Sequence, residues 1–596
     1  MDEIVRGDFA PNGRRDEVRP PRKQDVELYI RTYNTLLRSS GSIGLKALEQ
    51  AHFNIDSNLH AQAASPVLDM SAFFYSMQRL PTHIARARHI VMGQSAAVFA
   101  QQGMPQVQMW QPVTAPGRRR IWYFDPDSTT LAIFIGSPSD VDDVVPTIVA
   151  YQIEWNKIYR LLQKERSSRL VITEALHASS ELRMELEKLI VTRLGMAADD
   201  WSRLSSIWGG DLWPTLALIE QSEKNFSLQL LGGTHVGYAR SAQHWWGQIS
   251  DVLRDRGLGN RPLYFVSSNL HSLTNLMSGF VLQKRDELEA YIESSEDPLL
   301  RTELAQLRSG GSPRSQENFL YYAARKYLLH PGRAHLVEER RREQEAIGIV
   351  TVHSGRGLDV DAQIIDISAL RGANVDPRIR IPGMEGLAKS DAIILNIDYP
   401  LGLGAYLTFR QLAEHVGDMR GIYILGKAAT LNGSIGDVMI ANVVYDEHSQ
   451  NTYWIHNCFT ARDVHPFLAD GSVLDNQKAI TVKGTFLQNN HYLDFYYREN
   501  YTVVEMEAGP YLDALYEYLH PTRYPTDEQI NLAQLPFDVG LLHYASDTPY
   551  TSAHTLGARS LSYLGMDSTY AASVAIVRRI LAEELRRLRV PAPVTE

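Results

Sequence analysis

Cysteine is nearly absent from the sequence, and long apolar runs are missing altogether. Cys458 is the single cysteine among 596 residues, so an intramolecular disulfide is excluded and a reducing compartment is favoured. No stretch approaches the roughly 20 apolar residues that a membrane-spanning helix needs. Residues 1–23 also lack the apolar region of a signal peptide. We therefore expect a cytoplasmic protein with no membrane partner.

Charge is not gathered into long blocks either. The formal net charge is -10, and no long basic run occurs after the first residues of the chain. A nucleic-acid duplex is therefore not expected as a partner. Hydrophobic residues make up 44% and charged residues 21% of the chain, which is typical of a folded globular protein. A chain of this length exceeds one hydrophobic core, so at least two domains are expected.

Common catalytic signatures are lacking as well. The sequence contains no G-x-S-x-G elbow, no H-E-x-x-H helix and no G-x-x-x-x-G-K-[ST] loop. His456, Cys458 and His465 lie close together, but their spacing matches no common zinc pattern and one ligand would be missing. Hydrolase triads, P-loop NTPases and zinc enzymes are set aside, and we expect no metal and no resident cofactor.

The chain divides into four segments by composition. Residues 1–23 are rich in Arg and Pro and predict a flexible tail. Residues 24–330 predict a mainly helical α+β region of unknown role, with a strand pair at RIWYF and TLAIFIG. Residues 331–346 contain VEERRREQEA, which predicts a charged helical connector. Residues 347–596 predict a separate α/β domain.

This last segment predicts a three-layer α/β domain with a mixed, largely parallel central sheet. Short runs rich in Ile and Val alternate with helical patterns, as strands covered on both faces do. The runs are IGIVTVH, AQIIDISA, DAIILNID, GIYILG, TVVEME and DVGLLHYA. In such sheets a ligand binds at the carboxyl ends of the strands, so the residues that follow these runs are candidates for a site.

Three of these strand ends suit a phosphate group. Gly355 and Arg356 follow the first run, where glycine frees the backbone and the guanidinium can bind an oxyanion. Gly404 lies where another strand gives way to a helix, whose first amides can bind an anion. Lys427 adds a cation after the GIYIL run. These residues predict phosphate binding. For the glycine-rich loop at Gly355 and Arg356, the alternative is an ordinary turn. Inorganic phosphate is a possible co-substrate at such a site.

The remaining strand ends suit a sugar and a leaving group. The small residues Gly426 and Ala428 let a ligand approach the backbone. Glu505 and Glu507 are two positions apart and would share one face of a strand, where carboxylates can accept hydrogen bonds from vicinal hydroxyls. Asp547, next to Ser546, follows DVGLLHYA; an acid desolvated there can donate a proton to a leaving group.

In order and approximate spacing, GKAATLNGSIGDVMI, VVEMEAG and HYASDTPYTSAH resemble the nucleoside phosphorylase and nucleosidase superfamily, including its purine nucleoside phosphorylase-like and AMP nucleosidase-like members. The resemblance covers about residues 345–585. It implies that Glu507 holds the ribose 2′- and 3′-hydroxyls, that Met506 packs on the sugar, and that Asp547 protonates or hydrogen-bonds the departing purine. It also implies a homo-oligomer, and it places Arg356 and Lys427 near phosphate or the 5′ side of the ligand.

Two departures from the family pattern bear on the reaction. Ala429 and Thr430 stand where the family prefers two glycines, which would change the shape of the pocket. Arg356 stands where nucleosidases that attack with water usually carry an acid, which puts simple hydrolysis of an uncharged nucleoside in doubt.

The expected function is cleavage of the N-glycosidic bond of a purine nucleoside or nucleotide, by phosphorolysis or by hydrolysis. The alternatives are a non-catalytic nucleotide sensor and a scaffold protein that keeps the α/β domain, since fold does not imply function. The sequence leaves open the base, the 5′ substituent and the nucleophile.

Overall fold

The computed structural model describes residues 23–39, 41–295, 297–310, 315–355, 358–370, 374–549 and 564–589. The predicted tail lies outside these residues except for Lys23, which begins the first helix. Across the described ranges, no helix has both the length and the apolar character needed to cross a membrane. Helices and mixed sheets together make an α/β protein, as expected.

The amino-terminal part is built on a six-stranded sheet. Its strands are β1 Ile43–Gly44, β2 His89–Gly93, β3 Gln111–Ala115, β4 Arg118–Asp125, β5 Thr130–Phe134 and β6 Ser227–Leu231. Its helices are α1 Lys23–Ser39, α2 Lys46–Asn54, α3 Met70–Arg79, α4 Ala96–Gln101, α5 Pro138–Gln163, α6 Ser168–His177, α7 Ser180–Leu194, α8 Ala198–Trp208 and α9 Leu212–Gln221. The strand order is β1-β6-β2-β5-β4-β3.

Helix α5 runs through the core of this part. A capping box formed by Ser137 and Asp140 starts the helix. Pro138 fits the first turn, because a backbone N–H there would have no hydrogen-bond partner within the helix. The chain from Pro138 to Gln163 is one helix despite Pro146 in its interior. Next to it, β4 and β5 pair antiparallel, so the predicted strand pair is confirmed.

The second part is built on an eleven-stranded sheet. Its strands are β7 Leu263–Ser268, β8 Ile349–Val352, β9 Ala362–Asp366, β10 Ile393–Asp398, β11 Met419–Thr430, β12 Val438–Asp446, β13 Thr452–Ile455, β14 Val473–Thr481, β15 Tyr501–Glu505, β16 Gln529–Leu532 and β17 Asp538–Asp547. Its helices are α10 His235–Asp255, α11 Ser272–Ser278, α12 Phe280–Gln283, α13 Arg285–Ser294, α14 Pro298–Arg308, α15 Gln316–Leu328, α16 Ala334–Ala346, α17 Leu403–His415, α18 Ala461–Val464, α19 Asn490–Arg498, α20 Ala508–Leu519 and α21 Leu564–Arg589.

The second sheet begins earlier in the chain than the sequence predicted. Strand β7, at Leu263–Ser268, pairs parallel with both β10 and β11, in the middle of the sheet. The α/β domain therefore does not start at residue 347, because a strand from before the charged helix α16 is one of its central members. A short apolar strand inside a helical region carries no local sign of its partners, which is why its sheet could not be assigned from sequence.

The pairing in this sheet is mixed, and the parallel pairs outnumber the antiparallel ones, as expected. Parallel pairs join β7, β10, β11 and β17, while β8, β9 and β10 pair antiparallel. At the other end, β11, β15, β14, β12 and β17 pair in succession and close into a ring. Apolar residues are buried against helices on both faces, with α21 packing on one face and α17 and α20 on the other.

Several contacts join the two parts, and they include a hydrogen bond beside the candidate site and an aromatic cluster. The backbone N–H of Leu403 donates to Ser139 Oγ at 2.9 Å, which joins the start of α17 to the start of α5. Phe486 from the second part packs against the rings of His52, His60 and Tyr75. The first contact lies directly beside the candidate site.

Candidate functional site

A cavity of about 620 Å³ lies where the two parts meet. Strand ends of the second sheet form one wall, and α3, the β3–β4 hairpin and the start of α5 form another. The polar and charged side chains that line it are Gln78, Arg79, Arg118, Arg119, Arg120, Ser137, Asp140, Arg325, Asp359, Tyr399, Lys427, Glu507, Tyr544, Ser546 and Asp547. Its volume suits a ligand of nucleotide size.

A β-bulge decides which residues of β17 line the cavity. Lys427 on β11 pairs in register with Tyr544 on β17, and both side chains line the cavity. Ala428 still pairs with Ala545, but the register shifts after it, so that Ala429 lies opposite Asp547. Strict alternation would turn Asp547 to the face opposite Tyr544, but the extra residue resets the alternation. Ser546 and Asp547 therefore both reach the cavity, and Ser546 Oγ donates to Asp547 Oδ2 at 2.7 Å.

Glu507 lies where β15 gives way to α20. It is the residue before the helix, with φ -123° and ψ -27°, so it has left the extended conformation of the strand. The backbone N–H of Gly402 donates to Glu507 Oε1 at 3.5 Å. Burial raises the pKa of Glu507 above its usual range, and the nearby cations Arg118 and Lys427 oppose that rise.

Glu505 occupies a different place, so the expectation that it shares a face with Glu507 is wrong. Strand β15 ends at Glu505, and the alternation rule does not extend past the strand. Its Oε2 accepts the backbone N–H groups of Glu507 and Ala508, both at 2.7 Å, and its Oε1 accepts the hydroxyl of Thr481. Burial and the charge of Glu507 raise its pKa. Glu505 therefore positions the backbone of Glu507 by a hydrogen bond and does not line the cavity.

Lys427 extends into the cavity between groups of both signs. Burial by the cavity walls lowers its pKa first, and the charges of Arg79 and Arg118 lower it further, while Asp547 and Glu507 raise it. Within the described residues, Lys427 has no hydrogen bond or ion pair. Its ammonium is therefore available to an anion in the cavity.

The arginines of β4 are held by acids at the start of α5. Arg118 and Arg120 are two positions apart, so they lie on one face of the strand. Arg118 forms a bidentate pair with Asp143 at 3.1 and 3.2 Å. Arg120 binds Asp140 at 2.9 Å and Asp143 at 2.8 Å. These cations hold the pKa of Asp143 well below its usual range, so the acid stays ionised and anchors the cluster.

The predicted phosphate-binding Gly404 has no free backbone amide. Gly404 does line the cavity, but its N–H donates to the carbonyl of Leu401 at 2.9 Å. The two preceding amides, of Gly402 and Leu403, are taken by Glu507 and Ser139. The start of α17 therefore serves the junction between the parts and offers no amide to an anion.

The other predicted residues that the structure describes do not line the cavity. Gly355 is not among the lining residues, and in its loop the amide of Ser354 is bound by Asp361 at 2.8 Å. Arg356 lies outside the described residues. Gly426 and Ala428 flank Lys427 and point away from the cavity by alternation, and Met506 packs beside Leu431 and Tyr501.

Sequence reasoning missed the arginines of the first part. Three consecutive arginines, Arg118–Arg120, follow a glycine at a hairpin and enter a strand, which was a readable signal. Arg79 had no such signal, because it ends a helix and reaches the site only through folding. Gly117 makes room for it: a Cβ there would lie 2.6 Å from Arg79 Nη1.

A metal centre finds no support in the part of the chain that the structure describes. No group of three or more His, Cys, Asp or Glu side chains there could hold an ion. His456 and Cys458 border a separate, smaller cavity of about 190 Å³. Burial raises the pKa of the Cys458 thiol, which keeps it in its unreactive form.

Comparison with known proteins gives one match that spans most of the chain. A family model described as a family of unknown function, DUF6909, matches residues 45–582. No curated protein matches.

Several solved structures resemble part of the chain. They include a methylthioadenosine phosphorylase from an antarctic soil metagenomic library, at 10% identity and a TM-score of 0.26, covering 34% of this chain and 74% of that chain. The 5′-methylthioadenosine nucleosidase of Arabidopsis thaliana, in apo form, has 10% identity and a TM-score of 0.25, covering 42% of this chain and 91% of that chain. Identities and TM-scores of this size say nothing about activity.

Proposed function

The chain belongs to the family of unknown function DUF6909, and we propose that it cleaves the N-glycosidic bond of a purine nucleoside or nucleotide. The observation that carries this proposal is that Glu507, Asp547 and Lys427, from the ends of three different strands, line one cavity of about 620 Å³. A hydroxyl-binding carboxylate, an acid for the leaving group and a cation for phosphate are the groups that this chemistry needs.

Glu507 would bind the ribose. Cleavage passes through a state in which positive charge develops at C1′ and the ring oxygen, and a carboxylate that accepts both vicinal hydroxyls stabilises that charge. Glu505 and Gly402 position the group: Glu505 accepts the backbone N–H of Glu507, and Gly402 donates to Glu507 Oε1. The carboxylate is thereby held for a ligand that arrives from the cavity side.

Asp547 would serve the departing base. As the C1′–N bond breaks, its electron pair goes to the base nitrogen, and a proton must reach the purine for it to leave as a neutral molecule. The hydroxyl of Ser546, bound to Asp547 Oδ2, orients the carboxyl group. The new bond at C1′ forms to an oxygen of water or of phosphate, and the proton released by water returns to the site.

The proposal is tested by base release. Purine nucleosides and their 5′-monophosphates are incubated with the protein, with and without inorganic phosphate, and free base is measured by chromatography. We expect release by the wild type and a loss of about 100-fold or more in Asp547→Asn and Glu507→Gln, as for removal of a positioned acid or charge-stabilising group. Phosphate dependence separates phosphorolysis from hydrolysis.

Two exposed acids serve as matched controls. Asp286→Asn and Glu385→Gln make the same chemical changes on the surface and should leave base release unchanged. Release that survives in both cavity variants would refute the roles given to Glu507 and Asp547. Tight nucleotide binding with no release from any compound would instead identify a nucleotide sensor.

A further inference from the structure

Two cations in the cavity wall form no ion pair with any residue that the structure describes. Arg79 is 6% exposed, its Nε has no hydrogen-bond partner, and no carboxylate of the described residues lies within ion-pair distance of it. Its guanidinium stacks over the ring of Tyr75 at 4.4 Å, which fixes its position without neutralising its charge. Lys427 is likewise unpaired among the residues that the structure describes.

A third arginine is only partly satisfied. Arg120 is 8% exposed and is anchored by Asp140 and Asp143, yet its Nη2 has no hydrogen-bond partner. Buried donors are almost always paired, so an unpaired guanidinium nitrogen in a cavity wall indicates that its partner comes from the ligand.

The cations of this wall are not all held in ion pairs. Asp140 and Asp143 hold Arg118 and Arg120, and Asp398 holds Arg119, whereas Glu507 and Asp547 act on Lys427 only through their charge. Burial lowers the pKa of Lys427, and the charges of Arg79 and Arg118 lower it further. Like charges gathered against a cavity repel one another unless an anion lies between them. A group with two negative charges and several acceptor oxygens would relieve this repulsion and pair the free donors.

We propose that Arg79, Arg120 and Lys427 form a subsite for a phosphate dianion, built jointly by the two parts of the chain. Arginine forks and a lysine are the side chains that bind phosphate oxygens best. The first sheet thereby gains a role, since its β3–β4 hairpin and α3 complete a cavity that the second sheet alone leaves open on one side. Naming the rest of the ligand as a purine nucleoside rests on the proposed function; the phosphate subsite does not.

The test measures binding rather than turnover. Isothermal titration compares adenosine, adenosine 5′-monophosphate and inorganic phosphate on the Asp547→Asn protein, which removes the proposed reaction while leaving the arginines intact. The same titrations are run after adding Arg79→Met or Lys427→Met, and after adding Arg301→Met as an exposed arginine control. Each variant is checked for folding by its urea midpoint.

We expect the monophosphate to bind at least about tenfold more tightly than adenosine. Arg79→Met and Lys427→Met should each remove most of this advantage without weakening adenosine, and Arg301→Met should keep it. If inorganic phosphate alone binds and is lost in the same two variants, the dianion is a free ion beside the sugar, and the subsite stands. If neither phosphate-bearing probe depends on Arg79 or Lys427, the subsite is refuted.

These outcomes separate the two proposals. Phosphate binding that depends on Arg79 and Lys427, with no base release by the wild type, would leave the subsite and remove the glycosidic activity. Base release by the wild type that is unchanged in Arg79→Met and Lys427→Met, on every substrate, would leave the glycosidic activity and remove the subsite. Because Arg79 and Lys427 form no ion pair within the described chain, replacing them breaks no salt bridge, and the variants are expected to fold.

Discussion

Gly402 packs against Ser139 of the first part and donates to Glu507 of the candidate site. Replacing it with alanine tests this packing. Its backbone has φ +50° and ψ -119°, a conformation that residues with a Cβ rarely adopt. A Cβ there would lie 2.3 Å from Ser139 Oγ and 2.7 Å from Ser139 Cβ, well inside van der Waals contact. Ser139 cannot turn away without losing its hydrogen bond from the N–H of Leu403.

The expected loss of stability in Gly402→Ala has three contributions. The backbone conformation costs about 1–3 kcal/mol for a residue with a Cβ. Relief of the clash adds about 1–3 kcal/mol of overpacking, and the lost hydrogen bond adds about 1 kcal/mol. The N–H of Gly402 also binds Glu507 Oε1, so base release should fall together with stability.

Gly209→Ala is the matched control. Gly209 has nearly the same backbone conformation, φ 51° and ψ -123°, but nothing lies within 4 Å of its Cβ position. Gly209→Ala should therefore lose only the free energy that the backbone conformation costs. The free energy of unfolding should fall by roughly 2–4 kcal/mol more in Gly402→Ala. Urea midpoints rank the variants, and hydrogen exchange over residues 137–145 and 399–405 reports the junction, because one midpoint does not describe a chain of several domains. Equal losses in the two variants would refute the close packing at this junction.

Two further predictions concern the cavity. Burial raises the pKa of Glu505 to about 8 and of Glu507 to about 7, from an ordinary value of 4.5, and the charge of Glu507 adds to the rise at Glu505, so the native state holds protons that the unfolded chain releases. These bound protons add to the free energy of unfolding. Their contribution is complete below about pH 4.5 and is lost as the pH rises to about 8. The wild type should therefore lose on the order of 2 kcal/mol relative to Glu507→Gln across that range in urea titrations, and a constant difference would contradict this. Separately, Gly117→Ala should displace the Arg79 guanidinium, since a Cβ would lie 2.6 Å from its Nη1. Adenosine 5′-monophosphate affinity should fall about tenfold at nearly unchanged stability, and unchanged affinity would show that Arg79 does not bind the ligand.

Local pattern was sufficient for most of the strands and helices. The apolar runs that end before Lys427 and Ser546 are strands β11 and β17, and the charged run after residue 333 is helix α16. Helical and strand periodicities are carried by neighbouring residues, so they can be read from a single sequence. Strand pairing cannot, because the partner of β7 lies more than a hundred residues away and leaves no trace in its own segment.

The candidate site shows the same division. Glu507, Asp547 and Lys427 could be named in advance, because each follows an apolar run at the point where a strand ends. Their chemistry depends only on residue type and on that position.

Which residues line the cavity was decided by the tertiary structure and could not be predicted from local sequence patterns. Glu505 turned beneath Glu507 because the strand stops there, and a bulge between β11 and β17 brought both Ser546 and Asp547 to the cavity. The arginines of α3 and β4 arrived through the docking of one sheet against the other. A sequence prescribes side chains and local conformation through short-range sterics and periodicity; which distant side chains share a cavity depends on long-range register and packing, to which residues hundreds of positions apart contribute together.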